Sequence, residues 1–186
     1  MGIDNAGRLK RAVFLDRDGV VNDAEVKDGK PYSPANVASL RIAAGTADAL
    51  ARLKERGYLV LVVTNQPEVA RGNQTRQTVE EMHQRLRAEL PLDDLLTCYH
   101  DDNDDCDCRK PKPGLILKAA KRYGVDPGKS FMVGDRWRDI DAGAAAGCKT
   151  ILIDFGYRER APVSTPDYRA RSLSEAVEWI LNTATE

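Results

Sequence analysis

The sequence has no apolar run approaching the length needed to cross a bilayer. Its first residues, MGIDNAGRLKRAVFLD, offer neither the apolar centre nor the small-residue cleavage site of an export signal. The expectation is a cytoplasmic protein without a membrane partner. Net charge is also missing: 28 Lys and Arg stand against 29 Asp and Glu. A formal charge of −1 gives no global field to draw the chain onto nucleic acid. Cysteine is scarce, four in 186 residues, and histidine scarcer, with two. In a reducing compartment such thiols serve as metal ligands more often than as disulfides. There is no internal repeat, and no low-complexity segment beyond DDNDDCD.

What is present reads as one domain over residues 1–186, with tails at about 1–10 and 183–186. Five apolar runs suit buried strands: residues 11–16, 58–65, 94–99, 130–135 and 150–155. Helical spacing lies around them at 45–56, 75–90, 114–123, 138–146 and 172–182. Thr75 or Thr78 is the expected cap of the second helix, and Gly57, Gly124 and Gly147 are expected stops. The alternation predicts an α/β class, a Rossmann-like parallel sheet with helices on both faces. The stretch from Asp16 to about Gly45 carries turn residues and no core element, which predicts a small flap or hairpin over the site.

In such folds the ligand lies beyond the carboxyl ends of the strands. The ends give Asp16-Arg17-Asp18-Gly19, Thr64-Asn65-Gln66, Cys98 leading to Arg109-Lys110, and Gly134-Asp135-Arg136 with Asp139 one helical turn on. Several close carboxylates cannot all ionise without a cation, and a few oxygen ligands favour Mg²⁺. Asp16, aimed by a buried strand, can act as a nucleophile. Asp18, two residues later, can protonate a leaving oxygen and then deprotonate water. Thr64 and Lys110 can hold phosphoryl oxygens, and Asn65, Gln66 and Arg136 are expected substrate contacts. Asp135 would hold Mg²⁺, and Asp139 would orient Lys110 or a metal-bound water. Each short motif alone suits a turn or helix cap; their joint order at strand exits favours chemistry.

The segments FLDRDGVVN, VVTNQ, CRKPKPG and MVGDRWRDIDAG resemble the four motifs of the haloacid dehalogenase superfamily of phosphohydrolases, over about residues 11–155. Within it, CYHDDNDDCDCRKPKPG is similar to the zinc-bearing subfamily of heptose bisphosphate and histidinol-phosphate phosphatases. The resemblance implies a phosphatase without a large cap domain. It makes Asp16 the nucleophile and Asp18 the general acid/base. It makes Asp16, the Asp18 carbonyl and Asp135 the Mg²⁺ ligands, Thr64 and Lys110 the phosphoryl clamps, and Arg109 a substrate contact.

Cys98, His100, Cys106 and Cys108 form the pattern C-x-H-x5-C-x-C, a closed set for one structural Zn²⁺ directly before Arg109 and Lys110. The intervening acids are expected to point outward. Cys148 is expected to be a small buried residue, and His83 to be packing or surface. Pro67 and Glu68 stand where the subfamily has a small polar pair. The expected substrate is a phosphorylated sugar, heptose 1,7-bisphosphate first and histidinol phosphate as alternative, handled by a monomer. A different class, a zinc-stabilised binding protein on the same scaffold, would have no need of Asp16 and Asp18 together.

Overall fold

The computed structural model describes residues 9–183. The predicted tails lie largely outside the described residues. Of their inner ends, Lys10 is held by backbone bonds to Gly124 and Asp126, and Thr183 ends a helix.

The elements in chain order begin with β1 (Ala12–Leu15), the hairpin β2 (Glu25–Lys27) and β3 (Lys30–Tyr32), and helix α1 (Thr46–Glu55). Then come β4 (Leu59–Asn65), α2 (Arg76–Glu89), β5 (Asp94–Cys98) and α3 (Gly114–Tyr123). The chain closes with β6 (Phe131–Gly134), α4 (Trp137–Ala146), β7 (Lys149–Ile153), β8 (Tyr168–Ala170) and α5 (Leu173–Thr183). Six strands form one parallel sheet in the order β5-β4-β1-β6-β7-β8. The predicted Rossmann-like class is borne out, and among the described residues no large cap domain interrupts it. Strand β8 was not expected; three residues, one of them buried, carry too little pattern to stand out.

Strand period two explains the layering. Val13 and Leu15 join Val60 and Val62 under α1, α2 and α5, while Ala12 and Phe14 join Leu61, Val63 and Met132 under α3 and α4. Both faces are covered, which is why the strands read as continuous apolar runs rather than alternating ones. Phe131 meets the rings of Tyr58 and Trp179 edge-on at 6.0 and 6.1 Å and so ties α5 to the sheet. Such aromatic pairs add about 0.5–1.5 kcal/mol each beyond the area they bury. The Thr75 side chain accepts from the Thr78 N–H, which settles the cap of α2.

The topology also fixes the place of the site. The chain builds outward from β1 through β4 to β5, then crosses to the other side of β1 with β6. The strand order reverses between β1 and β6, and a crevice opens beyond their carboxyl ends. Asp16 and Asp135 are the residues that leave those two strands. The expected flap is the antiparallel hairpin of β2 and β3, turned at Asp28 and Gly29, both with positive φ (53° and 75°).

Candidate active site

The Asp16 N–H still bonds the Val133 carbonyl at 2.9 Å, so its side chain leaves the sheet in a fixed direction. Lys110 enters from the loop after β5 and is almost wholly buried. Its Nζ donates to Asp16 Oδ1 at 2.7 Å, Asp139 Oδ1 at 2.6 Å and the Val63 carbonyl at 2.8 Å. Three acceptors satisfy an ammonium completely. Burial works against that charge, but Asp139 and Asp16 outweigh it and hold the Lys110 pKa above its usual value. Asp139 gives its other oxygen to the Arg136 N–H at 3.1 Å, at the start of α4. Gly134 allows this: a Cβ there would stand 2.1 Å from Asp139 Cβ.

Asp16, Asp135 and Asp139 each bring an oxygen within 4.8 Å of the others. Neither Asp135 oxygen has a hydrogen-bond partner, although both are buried. The Tyr157 hydroxyl faces this carboxylate closely enough for the two groups to perturb each other's ionisation. Burial, then the Asp16 and Asp139 charges, push the Asp135 pKa well above its usual value. Burial likewise raises Asp16 to about 6, with Lys110 opposing and Asp139 and Asp18 adding. Orphaned buried carboxylate oxygens beside a second carboxylate are what a small hard cation would satisfy, so these residues fit Mg²⁺. Gly19 makes the approach possible. Its φ is +85°, and a Cβ there would lie 1.9 Å from Asp135 Oδ2.

Asp18 is held differently. Arg17 chelates it with Nε on Oδ1 at 3.0 Å and Nη2 on Oδ2 at 2.9 Å. Asn22 donates to Oδ1 at 3.0 Å; Ser33 and Gln66 donate to Oδ2 at 2.7 and 2.9 Å. Burial favours the neutral acid, yet Arg17 and these donors win, and the pKa falls below the usual value. Behind them, Arg17 Nη1 meets His83 Nε2 at 3.0 Å. Burial, with the Arg17 charge, pushes His83 down to about 4. The neutral ring therefore accepts at Nε2 and carries its proton on Nδ1. His83 is thus fully buried behind the site rather than at the surface.

Other expected contacts turn inward. Asn65 clasps the Lys110 backbone, donating to its carbonyl at 3.0 Å and accepting its N–H at 3.1 Å. Gln66 is fully buried, donates to Asp18 and to Thr64 Oγ1, and accepts from Ser33. Both residues thus have internal positioning partners, and Asn65 also lines the cleft with Asp16 and Asp18. Arg136 lines the cleft but is ion-paired to Glu159. Trp137 is covered by guanidinium groups, that of Arg160 at 3.3 Å and that of Arg138 at 4.5 Å. Ser33, Arg71, Arg138 and Tyr157 escaped the sequence reading, which also gave Arg17 and His83 no part in the site. Only Arg17 carried a visible signal, a cation between two acids.

The second cluster combines Cys98, His100, Cys106 and Cys108, again with ligand atoms within 4.8 Å of one another. Cys98 Sγ lies 3.9 Å from Cys106 Sγ and 3.6 Å from His100 Nδ1, and His100 Nδ1 lies 3.2 Å from Cys108 Sγ. A tetrahedral zinc ion with thiolates at about 2.3 Å has edges near 3.8 Å. The Cys98–Cys108 separation of 2.6 Å is shorter than such an edge, and a cation between them would part the pair. All four cysteines are free thiols. Cys148 is buried, and burial pushes its thiol up to about 12, so it is inert packing. The expectation that the loop acids point outward is corrected for two of them. Asp101 pairs with Arg71 at 2.5 Å, and Asp102 with Arg109 at 3.0 Å. The pull of the rim cations, exposed Arg71 and buried Arg109, exceeds the preference of these acids for water.

This fold and carboxylate–lysine rim define a class. Residues 22–147 match the haloacid dehalogenase-like hydrolase family, and the chain belongs to it. A protein of Pasteurella multocida named D-glycero-beta-D-manno-heptose-1,7-bisphosphate 7-phosphatase is 39% identical over 160 residues, 80% of this chain and 84% of that protein. One of the same name from Helicobacter pylori is 34% identical over 91% of this chain and 97% of its own length. The crystal structure of D,D-heptose 1,7-bisphosphate phosphatase from B. bronchiseptica, complexed with magnesium and phosphate, superposes with a TM-score of 0.74 at 30% identity. It covers 94% of this chain and 99% of that one. The resemblance drawn from the motifs is borne out. Among the described residues no helix is long and apolar enough to cross a membrane.

Proposed function

We propose that the protein is a Mg²⁺-dependent phosphatase that removes the C7 phosphate of D-glycero-D-manno-heptose 1,7-bisphosphate through an aspartyl phosphate on Asp16. One observation carries the reading. Asp135 keeps two buried oxygens without partners beside an Asp16 that Lys110 and the sheet hold in place. Asp16, the Asp18 carbonyl and Asp135 would hold Mg²⁺, whose chemistry is to neutralise phosphoryl charge and orient the group for in-line attack.

Asp16 Oδ attacks phosphorus, and the sugar oxygen leaves. Lys110 and Thr64 balance the charge on the phosphoryl oxygens. Asp18 gives the leaving oxygen its proton, then takes one from the water that opens the aspartyl phosphate. The ionised Asp18 of this structure suits the second half. For the first half it must be protonated. An approaching phosphoryl anion raises its pKa, and a seated leaving group displaces the Ser33 and Gln66 donors.

The cysteine-histidine set would hold a structural Zn²⁺ that keeps Arg109 and Lys110 in register with β5. We take the acting unit to be a monomer, in the cytoplasm. The test is phosphate release, with Mg²⁺, from a panel of heptose 1,7-bisphosphate, other sugar bisphosphates, sugar monophosphates and histidinol phosphate. The expected result is clear preference for the heptose bisphosphate, abolished by Asp16→Asn. Preference for histidinol phosphate would move the substrate within the family. No release from any compound would favour a binding protein on this scaffold.

A further inference from the structure

Asp102 stands two residues after His100, inside the cysteine-histidine loop. Its Oδ1 accepts from Arg109 Nε at 3.0 Å and also pairs with Arg138 Nη1 at 3.1 Å. Its Oδ2 faces Arg71 Nη2 at 3.4 Å. The three arginines come from separate pieces of chain: the turn after β4, the end of the cysteine loop and the first turn of α4. All three, with Asp102, line the same cleft as Asp16 and Asp18.

Like charges on independent elements do not converge unaided. Arg71 has its own counter-ions in Glu68 and Asp101. Arg136 has Glu159. Arg109 and Arg138 share the one carboxylate of Asp102, which leaves one positive charge over. The crowding is visible in Arg138. Burial lowers its pKa, Asp102 opposes, and Arg109 and Arg136 lower it further, so the net shift is downward. The pair is held together yet under-neutralised, and it faces the cleft. An incoming dianion would complete it, with two planar donor forks already converged.

We propose that Asp102 is a positioning residue that gathers Arg109 and Arg138 into a seat for the second, non-reacting phosphate of a bisphosphate substrate. The inference rests on the bisphosphate reading given above, and it names a specificity device that this loop contributes. The loop thus does more than steady Lys110. It carries the carboxylate that sets Arg138, a residue of another element, against Arg109.

The test compares heptose 1,7-bisphosphate with the 7-monophosphate in steady-state kinetics of the wild type, Asp102→Ala and Asp102→Asn. In D102A the ratio of kcat/KM for bisphosphate over monophosphate is expected to fall about tenfold, the worth of one charge-assisted hydrogen bond. The fall should be carried by KM rather than kcat. D102N keeps an oxygen that both guanidinium groups can reach and should recover most of the loss. An unchanged ratio, an equal loss on both substrates, or a lower KM for the bisphosphate in D102A would overturn the proposal. The last result would mean that the carboxylate only repels substrate. A wild type that cleaves both substrates equally well would overturn it while leaving the phosphatase reading intact. A wild type that releases phosphate from neither would defeat the functional reading instead. The seat is then judged by the melting-temperature rise that the bisphosphate gives. A rise lost in D102A supports it, and an equal rise in both proteins overturns it.

Discussion

Consider the protein without Mg²⁺ at pH 8, and replace Asp16 by Asn. The substitution removes the attacking oxygen, yet it should stabilise the fold. The Asp16 carboxyl is raised from the usual 3.8 to about 6, chiefly by burial. It is harder to ionise in the folded chain than in the unfolded one. Its charge therefore opposes folding above about pH 6. That opposition fades as pH falls through 6 and is gone below 3.8. With each pH unit worth about 1.4 kcal/mol, the ionised carboxylate costs about 3 kcal/mol. Asn removes this cost, from which the Lys110 attraction is already subtracted, and Lys110 keeps Asp139 and the Val63 carbonyl. The amide N–H groups that replace the second oxygen must find acceptors in a buried site, at a cost of about 1–2 kcal/mol. The net gain is about 1–2 kcal/mol, or about 3–6 °C in Tm for a chain of this size. Urea and thermal melts at pH 8 and pH 4.5, on protein dialysed free of Mg²⁺ and with its zinc left in place, measure it. At pH 4.5 the two proteins should melt together. With Mg²⁺ at 100 times its Kd, the wild type gains about 2.7 kcal/mol that D16N largely lacks, and the order inverts. A D16N no more stable than wild type at pH 8 would refute the reasoning. So would an advantage of equal size at both pH values.

Other outcomes follow from the same geometry. Gly19→Ala drives a methyl group into Asp135 and forces an unfavourable φ, so Mg²⁺ should no longer raise Tm and activity should fall at least about a hundredfold; calorimetric titration with Mg²⁺ checks the first point. His83→Ala removes the acceptor behind Arg17, so Asp18 should become easier to protonate and the acid limb of the kcat–pH profile should move upward, with kcat down about tenfold and KM little changed. His83→Gln, which keeps an acceptor, should restore part of both. Removal of zinc with a strong chelator, or Cys108→Ser, should lower Tm by about 10 °C or more and weaken substrate binding through the freed Arg109; one zinc per chain by metal analysis is the companion result. An unchanged melting curve after chelation would end the structural-zinc reading.

The parallel sheet, the helices on its two faces and the strand-exit residues were legible in the sequence because each depends on short-range pattern. Buried parallel strands must be apolar on both sides, and their exits must be turns. Asp16, Asp18, Lys110, Asp135 and Asp139 sit at those exits, so the topology rule alone brought them to one rim. The four ligand-type residues from Cys98 to Cys108 could be paired because they lie within one loop. Residue type and spacing also set the chemistry each group can offer. They did not set what each side chain touches.

That was decided by tertiary structure. Gln66 and Asn65 leave the strand beside the site, but packing turns them inward, onto Asp18 and onto the Lys110 backbone. His83 reads as an ordinary helical residue, and only the crossing of α2 behind Arg17 makes it a buried acceptor. Asp102 looked like one solvated acid among several. It meets Arg138 because α4 starts beside the cysteine loop, 36 positions along the chain. Sequence patterning determined the layers, the rim and the inventory of reactive groups, since local periodicity and strand polarity suffice for those. Which carboxylate stays ionised, which stays partnerless and which gathers distant arginines depends on burial and through-space charge. Those quantities exist only once the chain has closed on itself.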